Sequence, residues 1–227
     1  MRFVDFFSGI GGFRRGFELA GGFECVAHSE IDPYCEQVYQ RHWPGSLNLG
    51  DITEIEPEAI PPADLWTCGD PCQGNSNAGQ HHRQQSSPAD AFVRLAARCR
   101  PTHILRENPA AEHGEPLWGW RRFRLALERL GYAVLPFRLR ACCVGAHHQR
   151  ERLFLLASMA DARSEGLERR GVRLLPTERM ASQVEIESLP VRASDGLSAG
   201  MVRDRIRALG NAITPQQAEF IARRIPK

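Results

Sequence analysis

One cysteine, Cys72, stands between Pro71 and Gln73, and small, polar, turn-forming residues follow it to Gln80. A thiol held out on such a loop could act as a nucleophile, since the thiolate is the reactive form and needs access. A buried thiol near a turn is the ordinary alternative for this residue type. Glu107 and Asn108 close an apolar run. A carboxyl there could exchange a proton with a bound ring, or the pair could simply make a turn. Arg150 and Arg152 flank Glu151. On a strand both arginines would face one side, where they could clamp a base oxygen and a phosphate, or form a solvated face. His81, His82 and Arg83 could meet phosphates; a metal site is the lesser use of the histidine pair, because no third ligand lies near in sequence.

A second constellation opens the chain. "DFFSGIGGF" places Gly9, Gly11 and Gly12 between an apolar run and a helical pattern. Glycines there permit tight turning and close approach of backbone to a ligand, and the following helix N-terminus favours an anionic group. Glu30 ends the next apolar run, where an acid can accept hydrogen bonds from ribose hydroxyls. Asp51 ends the segment after that and would suit an adenine amino group. Three such features in order point to a nucleoside ligand. The spacing is not the G-x-G-x-x-G dinucleotide fingerprint.

The elements that must carry these residues alternate. Strands are expected at "RFVDFF", "FECVAHSE", "ADLWTC", "THILREN", "YAVLPFRLRACCVG" and "RERLFLLAS". Helices are expected at "FRRGFELAGG", "PYCEQVYQRHW", "ADAFVRLAARCR" and "LWGWRRFRLALERLG". Such alternation implies an α/β fold with a mainly parallel, doubly wound sheet covered on both faces. From Met159 to Gly200 the pattern breaks. Order returns with a last helix, for which Thr214 reads as N-cap, Pro215 as first helical residue and Gln217 as the partner in a capping box.

Composition narrows the class. No apolar run approaches the ~20 residues that span a bilayer, and the N-terminus reaches an acid and glycines too early for a signal peptide. A cytoplasmic protein is expected. Seven cysteines without a CxxC pair suit reduced thiols rather than a disulfide framework or a zinc site, and no metal is expected. The net charge of +2 advertises no global field for a polyanion.

Taken in order, these motifs resemble the DNA cytosine-5 methyltransferases of bacterial or phage type. The resemblance covers residues 1–158 and 201–227, which it implies form the catalytic and cofactor-binding domain, with 159–200 a reduced target-recognition segment. It implies S-adenosyl-L-methionine as cofactor and double-stranded DNA as partner. Phe7, Gly9, Ile10, Gly11 and Gly12 would form the cofactor loop. Glu30 with Ile31, Asp51 with Ile52, Asp70, and Asn211 with Ala212 would complete the cofactor site. "PCQ" makes Cys72 the nucleophile, "ENPA" makes Glu107 its partner on the base, and "HQRERLF" supplies Arg150 and Arg152. Gln73, Ser76, His81, His82, Arg83, Arg150 and Arg152 would meet DNA.

Asp70 stands where the family usually has an apolar residue or proline, and a carboxylate near Cys72 disfavours the thiolate. Pro109 replaces the usual valine, Arg106 sets a charge next to Glu107 in sequence, and His147 stands where proline is common. A recognition segment of about 40 residues is small for a DNA reader, since one module buries ~600–1,000 Å². Specificity would then be short or relaxed, or a partner protein would supply the reading surface. Two alternatives are the tRNA-methylating branch of the family, whose Cys-Phe-Thr motif is not found here, and a catalytically weakened DNA- and cofactor-binding homologue.

Overall fold

The structure, a computed structural model, describes residues 1–69, 87–109, 118–159, 204–205, 207–209 and 212–225. Its centre is a sheet of six strands in the order β2-β1-β3-β4-β6-β5. β1 (Arg2–Phe6), β2 (Glu24–Ser29), β3 (Leu65–Cys68) and β4 (His103–Pro109) are mutually parallel. β6 (Glu151–Met159) runs antiparallel to both β4 and β5 (Tyr132–Arg140), so β5 points the same way as the first four. The sheet is mainly parallel, with β6 reversed.

The pleat sorts the strand residues onto two covered faces. Val4, Phe6, Trp66, Cys68, Ile104, Leu155 and Ala157 pack beneath α3 (Pro88–Cys99) and α4 (Trp118–Arg129). Phe3, Leu65, Leu105, Phe154 and Leu156 pack beneath α1 (Gly12–Ala20) and α5 (Pro215–Ala222). A further helix, α2 (Pro33–His42), follows β2 at the edge of the sheet. Near-continuous apolar strands of this kind are what burial on both faces requires.

Two positions bring α1 and α5 unusually close. A Cβ at Gly12 would collide with Ile213, and a Cβ at Gly16 would collide with the Pro215 carbonyl and the Ala218 methyl. The spacing Gly12–Gly16 thus makes one smooth helix stripe into which the C-terminal segment sinks.

The last helix corrects one expectation. Thr214 and Pro215 start it as expected, but the Thr214 side chain makes no cap bond. Gln217 is fully buried and its Nε2 donates instead to the carbonyls of Leu139, at 2.7 Å, and Arg150, at 3.4 Å. The amide ties α5 to the start of β6 and the end of β5, which a buried polar side chain must do to offset its desolvation. Among the described residues no helix is long and apolar enough to cross a membrane.

Candidate active site

The chain leaves β1, visits the edge strand β2, and returns to β3 on the other side of β1. That reversal opens a crevice at the carboxyl ends of β1 and β3, the place where open α/β sheets hold ligands. The glycine turn follows β1, and the Pro-Cys segment follows β3. Phe7, Gly9 and Gly11 all have positive φ, at 53°, 55° and 87°. For Phe7 this is a strained conformation. The repeated left-handed steps turn the backbone sharply before α1, whose N-cap Gly11 offers no side chain. Trp43 lies against Gly11 so closely that a Cβ there would clash.

Glu30 holds this turn to the end of β2. Its Oε2 accepts from the Gly9 amide at 2.7 Å, and its Oε1 accepts from the amides of Ile31 and Asp32. Oε1 spends both lone pairs on these amides, while Oε2 keeps one for another donor. Ile31 beside it is 69% exposed, an apolar surface left open at the crevice. Ile52, by contrast, is buried in the core. Asp51 accepts from the amide and hydroxyl of Thr53 through Oδ1, which fixes its turn.

Asn48, which the sequence did not single out, joins these two acids. Its Oδ1 accepts from the Glu30 and Gly50 amides, and its Nδ2 donates to the Glu30 carbonyl. Asp5 was also passed over. It is wholly buried, accepts from the Thr67 hydroxyl at 2.6 Å through Oδ1, and its Oδ2 has no hydrogen-bond partner. Burial raises its pKa to about 7, against the opposing Thr67 hydroxyl and Arg14 guanidinium.

The catalytic carboxyl candidate lies across the switch point. Glu107 is buried at the carboxyl end of β4, and Arg152 Nε lies 2.6 Å from its Oε1. The reversal of β6 produces this contact. Pro109 pairs with Arg152 and Glu107 with Phe154, so the arginine reaches Glu107 diagonally on one sheet face. A Cβ at Gly69, just past β3, would stand 3.9 Å from Glu107 Oε2. Cys72 follows three residues later and can lie no more than ~11 Å of chain from that point. Arg106 does not crowd Glu107. The pleat puts it on the opposite face, with its guanidinium over Phe123 at 4.1 Å and Trp120 at 5.1 Å.

Arg150 and Arg152 take different partners. Arg150 donates from Nη1 to the Leu209 carbonyl at 3.2 Å and from Nη2 to the Ala212 carbonyl. Glu151 points the other way, to Arg138 and Arg140. A Cβ at Gly69 would also stand 3.6 Å from the Phe7 carbonyl, so the end of β3 lies between the glycine turn and the Glu107–Arg152 pair. Gly11 and Gly12 are buried, against Trp43 and Ile213. Asp70, Cys72, Gln73, Ser76, His81, His82, Arg83 and Asn211 lie outside the described residues.

Residues 1–195 match the C-5 cytosine-specific DNA methylase family. The type II methyltransferase M.DsaV of Dactylococcopsis salina is 35% identical over 160 residues, 69% of this chain and 45% of that protein. The type II methylase M.HgiEI of Herpetosiphon aurantiacus is 31% identical over 238 residues, 96% of this chain and 51% of that protein. The chain thus spans about half the length of these relatives. In three dimensions it is similar to the DNMT2 of Spodoptera frugiperda, with a TM-score of 0.61 and 20% identity over 71% of this chain and 51% of that one, a likeness of fold.

Proposed function

Because the chain belongs to the C-5 cytosine-specific DNA methylase family, we propose that it transfers a methyl group from S-adenosyl-L-methionine to carbon 5 of a cytosine extruded from duplex DNA. The observation that carries this is the buried Glu107–Arg152 pair, 2.6 Å apart, beside the start of the Pro-Cys segment. The crevice suits the cofactor. Its glycine turn admits a ligand against the backbone, Glu30 retains acceptor capacity for ribose hydroxyls, and Ile31 offers an exposed apolar side chain to adenine.

When bound, the cofactor supplies an electrophilic methyl group. The chain's own residues must make carbon 5 nucleophilic. Cys72 as thiolate adds to carbon 6, which turns the ring into an enamine. Glu107, held by Arg152, faces ring N3 and the exocyclic amine and selects cytosine over uracil. Carbon 5 then takes the methyl group, loses its proton to a base, and the thiolate leaves from carbon 6. Gln73, Ser76, His81, His82 and Arg83 belong in this proposal to the segment that closes on DNA. Extrusion of the base costs a few kcal/mol, which such contacts would offset.

Bisulfite sequencing of plasmid from cells expressing the wild type or Cys72→Ala tests the proposal. Methylated cytosines are expected with the wild type and none with the variant. Identical patterns would remove Cys72 from the reaction. Competition between duplex DNA and tRNA for tritiated methyl transfer, with DNA expected to win, separates the two branches of the family.

A further inference from the structure

Residues 207–209 and 212–213, here called the strap, are held at three places. At one end Arg207 Nη2 donates to Asp32 Oδ2 at 2.7 Å, two residues past Glu30. Asp32 spends its other oxygen on the N-terminus of α2, accepting from Tyr34 and Cys35. At the other end Ile213, itself buried, rests on Gly12 of the glycine turn. Between them Arg150 reaches across from β6 and holds the carbonyls of Leu209 and Ala212.

Two carbonyls cannot satisfy each other, because both only accept. A guanidinium supplies rigid parallel donors that fix two acceptors at once. Arg150 therefore fixes Leu209 and Ala212 at once through its two Nη nitrogens. It also ties these two residues to the chain just before the strand that carries Arg152. Both of these bonds go to the main chain.

We propose that Arg150 is a positioning residue for the methyl donor, bracing Leu209 and Ala212 and so holding Ile213 on Gly12 of the glycine turn, and not a DNA phosphate contact. The role in donor binding rests on the methyltransferase reading; the brace itself does not. If the strap loosens, Ile213 lifts from Gly12 and the donor site loses one wall, while the DNA-facing charge stays as it was.

The full chain and its Arg150→Ala and Arg150→Lys variants distinguish these roles. Amide hydrogen exchange without ligand should quicken in residues 208–214 of Arg150→Ala and less so in Arg150→Lys, whose ammonium can hold one carbonyl. The dissociation constant for S-adenosyl-L-methionine should rise about tenfold in Arg150→Ala, as for losing charge-assisted bonds, with partial rescue by lysine. The slope of log DNA affinity against log salt should not change, whereas loss of a phosphate contact would reduce it by about 1. Unchanged exchange in both variants would overturn the brace. Unchanged donor affinity together with a reduced salt slope would overturn the assignment to the donor. A wild type that binds no S-adenosyl-L-methionine would defeat the methyltransferase reading, and the exchange rates would still decide the brace.

Discussion

Thr67 satisfies one oxygen of Asp5, and the other is buried without a hydrogen bond of its own. A carboxylate so placed is costly, and a protonated carboxyl is cheaper. The folded-state pKa of about 7 lies above the ordinary 3.8, so the native chain holds this proton more tightly than the unfolded chain. The resulting stability is fully present below about pH 4 and is lost as pH rises towards 7. Asp5→Asn keeps an acceptor for Thr67 and cannot ionise. Across that window wild-type stability should fall relative to the variant by on the order of 4 kcal/mol, then stay level. Urea unfolding at a series of pH values measures it, and parallel curves for the two proteins would refute it. Asp5 was invisible in the sequence because an acid before a glycine turn looks like a ligand group or a surface residue. Only the pleat shows that it shares the inward face with Phe3.

Between elements, the contact of α1 with α5 decides whether the crevice keeps its wall. Gly16 is the tightest test, since its missing Cβ is replaced by the Pro215 carbonyl and the Ala218 methyl. Alanine is the better helix former by roughly 0.5–1 kcal/mol, yet overpacking costs about 1–3 kcal/mol. Gly16→Ala should therefore destabilise the chain by about 1–2 kcal/mol, read as a lower urea midpoint; a stabilised variant would mean that the helices separate freely. The sequence pattern marked both helices but not their partnership. Gly12 reads as cofactor loop, while the signal for packing is its spacing of one helical turn from Gly16. Gln217 misled in the same way. Thr214-Pro-Gln-Gln217 satisfies a local capping rule, but a buried amide next to two strand carbonyls gains more by bonding across the fold.

For the molecule as a whole, the alternation of strands and helices made the α/β sheet and its covered faces legible. The reversal of β6 was not, since an apolar run has the same pattern in either direction. That reversal explains why Glu107 and Arg152, far apart in sequence, end on one face. The motifs named Glu30 and Arg152 but not Asn48, whose side-chain oxygen accepts from the Glu30 and Gly50 amides. β6 ends at Met159 and the strap begins at Arg207, and the resemblance assigns the about 40 residues of 159–200 to reading bases. A complete DNA-reading module buries ~600–1,000 Å² and favours its site over random duplex by ~10³ or more. A segment this short should deliver less. Titrations at one fixed salt concentration, using a duplex with the sequence found methylated and a scrambled duplex, should give an affinity ratio below ~10³. A larger ratio would show that a full reader fits within this chain, and the expectation of relaxed specificity would have to be given up.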